Sequence, residues 1–400
     1  MKNLKQKARA YALKNAVAYN GVANQGAVIS GLFNEGLKKQ DLKKYIRDIS
    51  KIVSEVNGLL LEEQKKEFGN LKDEVSQRVV REGLPELPNV SKKGVVMRFA
   101  PSPSGRLHIG HIISMGPNFL YFNKYGGRFY LRIEDTNPRN IYKPAYKMIE
   151  DDIKWLLSDK KFRIVIQSNR INLYYKYIKK LLSKGAVYIC DCDVNNFKIL
   201  KENKRACPCR KLSVKENIAR WEKMLDKKGY LEGKAVLRFK SNLSNKNPAM
   251  RDFPLARINL TEHPLQKKKY RVWPLMNLCV AVDDIELGIT HIIRGKDHRD
   301  NAEKQKMIYK VLGEKYPWNY FMGRLHFKDL ELSTTRIKEE IKQGKYSGWD
   351  DNRLMTLISL KKQGYNPVNL WRFIESRGLT EVDKIISKKD FLEVITKIFK

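Results

Sequence analysis

One short stretch constrains this chain more than any other: Arg98-Phe99-Ala100-Pro101-Ser102-Pro103-Ser104-Gly105-Arg106-Leu107-His108-Ile109-Gly110-His111. It follows Val95-Val96-Met97, an apolar run that reads as a short buried strand. Two prolines and a glycine then exclude regular structure. An apolar-periodic segment carrying Ile109, Ile112, Ile113, Met115, Phe119 and Leu120 begins near His108. Strand, tight loop and helix in that order set a helix N-terminus beside a strand end, where backbone N–H groups and the helix dipole attract phosphate. Gly110 lets a base or a phosphate approach the backbone closely. His108 and His111, three apart, are expected on one helical face. Two imidazoles at a phosphate site can donate hydrogen bonds to charge that develops as a phosphoryl bond breaks. Taken alone, a His-x-x-His pair reads first as loop histidines and only second as zinc ligands.

The whole stretch resembles the first signature of class I aminoacyl-tRNA synthetases, specifically the glutamyl-tRNA synthetases of archaeal and eukaryotic type. Arg132-Ile133-Glu134-Asp135-Thr136-Asn137-Pro138 matches the same family at the right separation. The resemblance implies a Rossmann-type parallel α/β sheet with an inserted acceptor-binding domain, a helical N-terminal extension and a helical stem-contact module.

Composition fits a large basic partner. Lysine and arginine exceed aspartate and glutamate by 79 − 44 = 35. Such an excess favours a polyanion, because phosphate neutralisation releases counterions; a lysine-rich proteome gives the same number without a partner. A tRNA satisfies the charge. No run of eighteen apolar residues spans a membrane, and the N-terminus lacks the apolar core of a secretory signal. Five cysteines, four of them clustered, suit a reducing cytoplasm better than a disulfide framework.

Along the chain, residues 1–94 read as a helical extension, with helices around Ala8–Ala16, Lys38–Asn57 and Leu59–Val80, breaks at Asn20-Gly21 and Gly31, and a linker closing at Pro85 and Pro88. Residues 95–180 alternate strand and helix as the first half of a nucleotide-binding fold, with strand Phe129–Ile133 and helix Ala145–Leu157. Residues 181–280 break that alternation. Here Cys190-x-Cys192 and Cys207-x-Cys209 are spaced for a tetrahedral zinc site, or else are free thiols. The resemblance implies a zinc-bearing module that holds the tRNA acceptor end. Residues 281–325 complete the nucleotide fold, with a strand at Ile289–Ile293 and a helix capped near Asp297. Residues 326–400 carry Leu332-Ser333-Thr334-Thr335-Arg336-Ile337 in the place of the second class I signature, then helices to Lys400. Thr334 stands where bacterial relatives have lysine, and Arg336 supplies a permanent charge.

The resemblance implies ATP-dependent formation of glutamyl-adenylate, with Mg²⁺ accompanying ATP, then transfer of the glutamyl group to tRNA. His108, Gly110, His111, Ser333, Thr334, Thr335 and Arg336 would serve ATP. Arg98, Ala100, Ser102, Glu134, Met276 and Arg294 would bind glutamate, the arginines as carboxylate partners and Glu134 as the ammonium partner. Met276 replaces a tyrosine common among relatives. The family's anticodon-binding β-barrel region has no counterpart here. The expectations are therefore a separate anticodon-binding subunit, a truncated chain or an enzyme that works without one, and charging of both tRNA-Glu and tRNA-Gln. Two other readings stand beside this: glutamyl transfer to a modified tRNA nucleotide, and a non-catalytic tRNA-binding protein.

Overall fold

A computed structural model describes residues 3–76, 83–158, 160–330 and 332–397. Two compact units divide the chain, Met1–Val80 and Arg81–Lys400.

In the first unit, α1 (Leu4–Ala18), α2 (Gln25–Asn34), α3 (Leu42–Asn57) and α4 (Leu61–Leu71) form a small bundle. Ala8, Ala12 and Ala16 of α1 are buried, and small side chains let the neighbouring helices approach closely. Gly31 does not break a helix as expected. It lies inside α2, where a Cβ would sit 2.3 Å from the Tyr11 ring, so close packing rather than chain reversal explains it. The helix expected over Leu59–Val80 ends at Leu71 with a 3₁₀ turn to Glu74, and positions 77–80 lie outside the described residues.

The second unit begins before the expected boundary at 94. Tyr121 donates its hydroxyl to Pro85 O at 2.6 Å and His291 Nε2 donates to Pro88 O at 2.8 Å, so the presumed linker is packed onto this unit. Strands β1 (Val95–Phe99), β2 (Gly127–Ile133) and β3 (Arg163–Ile166) form a parallel sheet, crossed by α5 (Ile109–Tyr125) and α6 (Ala145–Leu157). Gly127 is required where β2 starts. Its φ is +108°, and a Cβ would lie 2.0 Å from Val95 O.

After α7 (Ile171–Ser183) the inserted domain is an antiparallel sheet, β4 (Val187–Cys190), β5 (Val236–Phe239), β6 (Pro254–Ile258) and β7 (Val272–Pro274), paired in that order. Helices α8 (Val194–Glu202) and α9 (Val214–Leu225) accompany it, and Trp221 and Trp273 fill its core. The chain returns through α10 (Met276–Glu286) to β8 (His291–Gly295), α11 (Arg299–Leu312) and β9 (Trp318–Met322), with β8 and β9 parallel. Thr290 N donates to Val96 O at 3.0 Å, and Val96 N to Thr290 Oγ1 at 2.9 Å, so β8 lies beside β1 and rejoins the two halves.

The remaining elements are β10 (Leu325–Phe327), α12 (Thr334–Lys342), α13 (Leu357–Lys362), α14 (Pro367–Arg377), β11 (Lys384–Ile386) and α15 (Lys388–Lys397). Residues 398–400 lie outside the described region. Among the described residues no helix is long and apolar enough to cross a membrane.

Candidate active site

The site lies at the carboxyl ends of β1, β2 and β8, where a doubly wound sheet binds its ligand. Two adjoining cavities open there. The larger, about 460 Å³, is lined by His108, Gly110 and His111 from one side and by Arg324, His326 and Leu332 from the other. The smaller, about 120 Å³, is lined by Arg98, Ala100, Glu134, Met276, Arg294 and Gln305, among others. Ser114, Gly295 and His298 line both, so the cavities meet at these three residues.

His108 is the N-cap of α5 rather than a member of its face. Its Nδ1 accepts from Gly110 N at 3.1 Å, while His111 Nδ1 accepts from His108 N at 3.1 Å. The rings stand 3.9 Å apart. Because each Nδ1 accepts, each proton resides on Nε2. Burial pushes His111 down to about 4 and, with His111 as neighbour, holds His108 well below the usual imidazole range. Both rings are thus neutral Nε2–H donors at neutral pH.

The loop before them is fixed from two sides. Asp152 of α6 accepts from Leu107 N at 3.0 Å and from Arg106 Nη1 at 2.5 Å. Ile109 N donates to Met355 O at 3.0 Å and Leu357 N to Leu107 O at 2.9 Å, which ties the signature to the segment before α13.

The arginines of the smaller cavity differ. Arg98 donates from Nε and Nη2 to both oxygens of Asp284, at 2.7 and 3.0 Å. Arg132, fully buried, donates to Asp284 at 2.5 Å and to Glu134 at 2.9 Å. Neighbouring Asp283 accepts from Arg170, Gln167 and Tyr174 at 2.7–2.9 Å. Burial works to raise the Asp284 carboxyl, and Arg98 and Arg132 more than offset it, so it titrates below the ordinary carboxylate value. Arg294 has neutral partners instead: Asn319 Oδ1 at 3.0 Å, Gln305 Oε1 at 2.9 Å and the Tyr316 hydroxyl. Among the described residues no carboxylate pairs with it. A buried cation held only by neutral acceptors is a receptor for an anion.

Of the expected glutamate ligands, Arg98, Ala100, Glu134, Met276 and Arg294 converge on the smaller cavity. Ser102 is exposed and lines neither cavity. The second signature is less convergent. Leu332 reaches the larger cavity, its Cδ1 3.3 Å from where a Gly110 Cβ would stand. Ser333 caps α12 by accepting from Arg336 N. Thr334 is buried against Gly105, and Arg336 is exposed with its Nε 3.4 Å from Glu340. The cation lining the cavity is Arg324, 3.0 Å from Asp297. Asp297 is therefore an ion-pair partner and not the helix cap expected; α11 starts at Arg299 after a 3₁₀ turn. Sequence reading missed Asp284, Gln305, Asn319, His298 and Arg324. The doublet Asp283-Asp284 after an apolar run was the one visible signal.

The four cysteines meet as expected. Their sulfurs all lie within 4.8 Å of one another, with Cys190–Cys207 at 4.0 Å and Cys192–Cys209 at 3.5 Å. Tetrahedral zinc thiolates at about 2.3 Å from the metal would place sulfurs about 3.8 Å apart, so the donor set fits that metal. Arg220 Nη1 donates to Cys209 Sγ at 3.6 Å, whereas burial and Asp191, 3.0 Å away, push the Cys209 thiol up to about 11.

The pattern that defines "tRNA synthetases class I (E and Q), catalytic domain" matches residues 94–398. The chain belongs to this family. Among similar proteins, the glutamate–tRNA ligase of Methanocaldococcus jannaschii is 44% identical over 95% of this chain and 68% of its own length. That of Methanobrevibacter smithii is 43% identical over 97% of this chain and 70% of its own. The crystal structure of a glutamate tRNA ligase from Elizabethkingia meningosepticum, in complex with its amino acid, shares the fold with a TM-score of 0.53 at 17% identity. It covers 75% of this chain and 68% of that one. The chain is thus a class I synthetase with the Rossmann-type catalytic fold.

Proposed function

We propose that this synthetase joins glutamate to ATP as glutamyl-adenylate and transfers the glutamyl group to the terminal ribose of tRNA. The observation that carries the reading is Arg294, a buried guanidinium without an acidic partner among the described residues, on the wall of a small cavity that opens onto the one lined by His108 and His111. Glutamate supplies the missing carboxylate. Glu134, half engaged by Arg132, takes the ammonium. Met276 and Ala100 form apolar wall, and Arg98 adds positive potential while it remains paired to Asp284. Ser102 serves only if its loop turns inward.

In the larger cavity ATP lies against Gly110, and the Nε2–H donors of His108 and His111 meet charge developing on the phosphates. A carboxylate oxygen attacks the α-phosphorus, the bond to the β-phosphate oxygen breaks, and pyrophosphate leaves. Positioning and charge stabilisation suffice, and no enzyme nucleophile is needed. ATP would arrive as its Mg²⁺ complex, in which the ion would supply neutralisation of phosphate charge. Arg324 is the resident cation; Ser333, Thr334, Thr335 and Arg336 reach the triphosphate by movement of their segment. Cys190, Cys192, Cys207 and Cys209 would hold zinc, which would brace the inserted domain for the acceptor end. The excess of basic residues favours the tRNA backbone. We read the tRNA specificity as non-discriminating, and residues 1–94, 95–180, 181–280, 281–325 and 326–400 as the working parts of the chain.

The test is charging of tRNA-Glu and tRNA-Gln transcripts with labelled glutamate, by the chain alone and with extract of the source. Charging of both transcripts is expected, with extract increasing the rate. A folded chain that shows no glutamate-dependent ATP–pyrophosphate exchange, with tRNA present, overturns the reading. Bound zinc near one equivalent, lost in a Cys207→Ser variant, is the expected metal content.

A further inference from the structure

Where the two cavities meet, His298 is the one imidazole without an assigned task. Its Nδ1 lies 3.2 Å from Asn301 Nδ2. Asn301 Oδ1 accepts in turn from Asn277 Nδ2 at 3.2 Å, and Asn277 Oδ1 accepts from Gln305 Nε2 at 3.2 Å. Gln305 Oε1 accepts from Arg294 Nη1 at 2.9 Å. A guanidinium can only donate. That fixes the orientation of Gln305, which fixes Asn277, which fixes Asn301, so that Asn301 presents its amide N–H to the ring. His298 Nδ1 must then accept, and the ring's proton sits on Nε2. The nearest acid to that nitrogen is Asp297 Oδ2 at 3.8 Å, beyond hydrogen-bond range, and the side chain is 42% exposed. An oriented N–H donor is thus left open at the junction.

We propose that Arg294, Gln305, Asn277 and Asn301 form an amide relay that holds His298 as an Nε2–H donor to an α-phosphate oxygen during adenylate formation. This rests on the reading above. The junction is where the glutamate carboxylate and the α-phosphorus must meet, and His298 is the titratable side chain among the three residues shared by both cavities. Arg294 and His298 are then coupled: the residue that recognises the amino acid's carboxylate sets the tautomer of the residue that meets the nucleotide. Burial lowers the ring's proton affinity, Asp297 and Glu134 raise it, and Arg294 and Arg98 lower it, for a net value below the usual imidazole range. Arg324, paired to Asp297, also lines the larger cavity. The ring is neutral at neutral pH, so the relay and not a second proton supplies the Nε2–H. No proton is transferred in the step.

The relay can be tested in the free protein and in turnover. Long-range ¹H–¹⁵N spectra of ¹⁵N-histidine protein, assigned by loss of a signal in His298→Gln, should show His298 in the Nε2–H form. In Asn301→Asp the carboxylate accepts from the ring, and at pH 8 the Nδ1–H form should replace it. In ATP–pyrophosphate exchange, His298→Ala should lower kcat roughly 10²-fold with glutamate KM changed less than threefold. His298→Gln, which keeps an amide donor, should recover at least tenfold of the loss. Asn301→Asp should lose about tenfold at pH 8 and regain activity relative to wild type toward pH 6, as the second proton restores Nε2–H. An unchanged ring spectrum in Asn301→Asp, a pH-independent loss, or a His298→Ala effect confined to KM would overturn the relay. Because the spectra need no turnover, a failure of the ligase reading is distinguishable from a failure of the relay.

Discussion

Arg98 and Arg294 sit in and at the end of adjacent strands, face one cavity and are almost equally buried, at 9% and 8% exposure. Chemically they are the same residue. Arg98 is saturated by a bidentate carboxylate, whereas Arg294 is surrounded by an amide, a second amide and a phenol. The difference teaches that a buried guanidinium is assigned a job by its partners. Paired with acid it is mortar between strands; paired with neutral acceptors it keeps its charge for something that arrives.

The sharpest way to break this contrast is Arg294→Ala. Removing one partner of a buried charge pair costs about 2–5 kcal/mol, so kcat/KM for glutamate should fall roughly 10²–10³-fold while urea unfolding stays close to wild type. A stability loss larger than the kinetic one would make Arg294 structural after all. Asp284→Asn should do the reverse. It leaves Arg98 and Arg132 without their shared anion, for a loss of about 3–5 kcal/mol in unfolding free energy. Arg98→Lys is gentler, about 1.5 kcal/mol, because an ammonium cannot span both oxygens.

The smallest effects are in the pH dependence of stability, where the two acids differ in sign. Asp284 has a folded value below its unfolded one. Its contribution is complete above the unfolded value and is lost as pH falls through the folded one, which steepens acid unfolding below about pH 4. Burial raises Asp152 to about 6, against Arg106 and the Leu107 amide, which lower it. There the folded state holds the proton more tightly, so stability falls as pH rises from about 4 to about 6. Asp152→Asn should flatten that interval in calorimetric scans, and an unchanged slope would show that Asp152 ionises freely.

Much of this was legible locally. The strand at Val95, the helix opening beyond His108, the helix Ala145–Leu157 and the cysteine pairs all follow from spacing within a few residues. What could not be read were relations across the sheet. Asp284 meets Arg98 only after the insertion has been threaded, and Arg294 finds Asn319 and Tyr316 on later elements. Gly31 and Asp297 were misread for a related reason. A glycine demanded by a neighbouring ring looks like a helix break, and an acid demanded by a distant arginine looks like a cap.

Gly105 carries one further consequence. A Cβ there would lie 2.4 Å from both Thr334 Cγ2 and Trp349 Cη2. The two signature segments therefore touch through a position that has no side chain, and the clearance between them is smaller than one methyl group. Gly105→Ala would act as a doorstop, holding the second signature ajar without altering any group that handles phosphate. The contact between the two signatures thus depends on an omitted carbon, and one added methyl group would force Thr334 and Trp349 to give way.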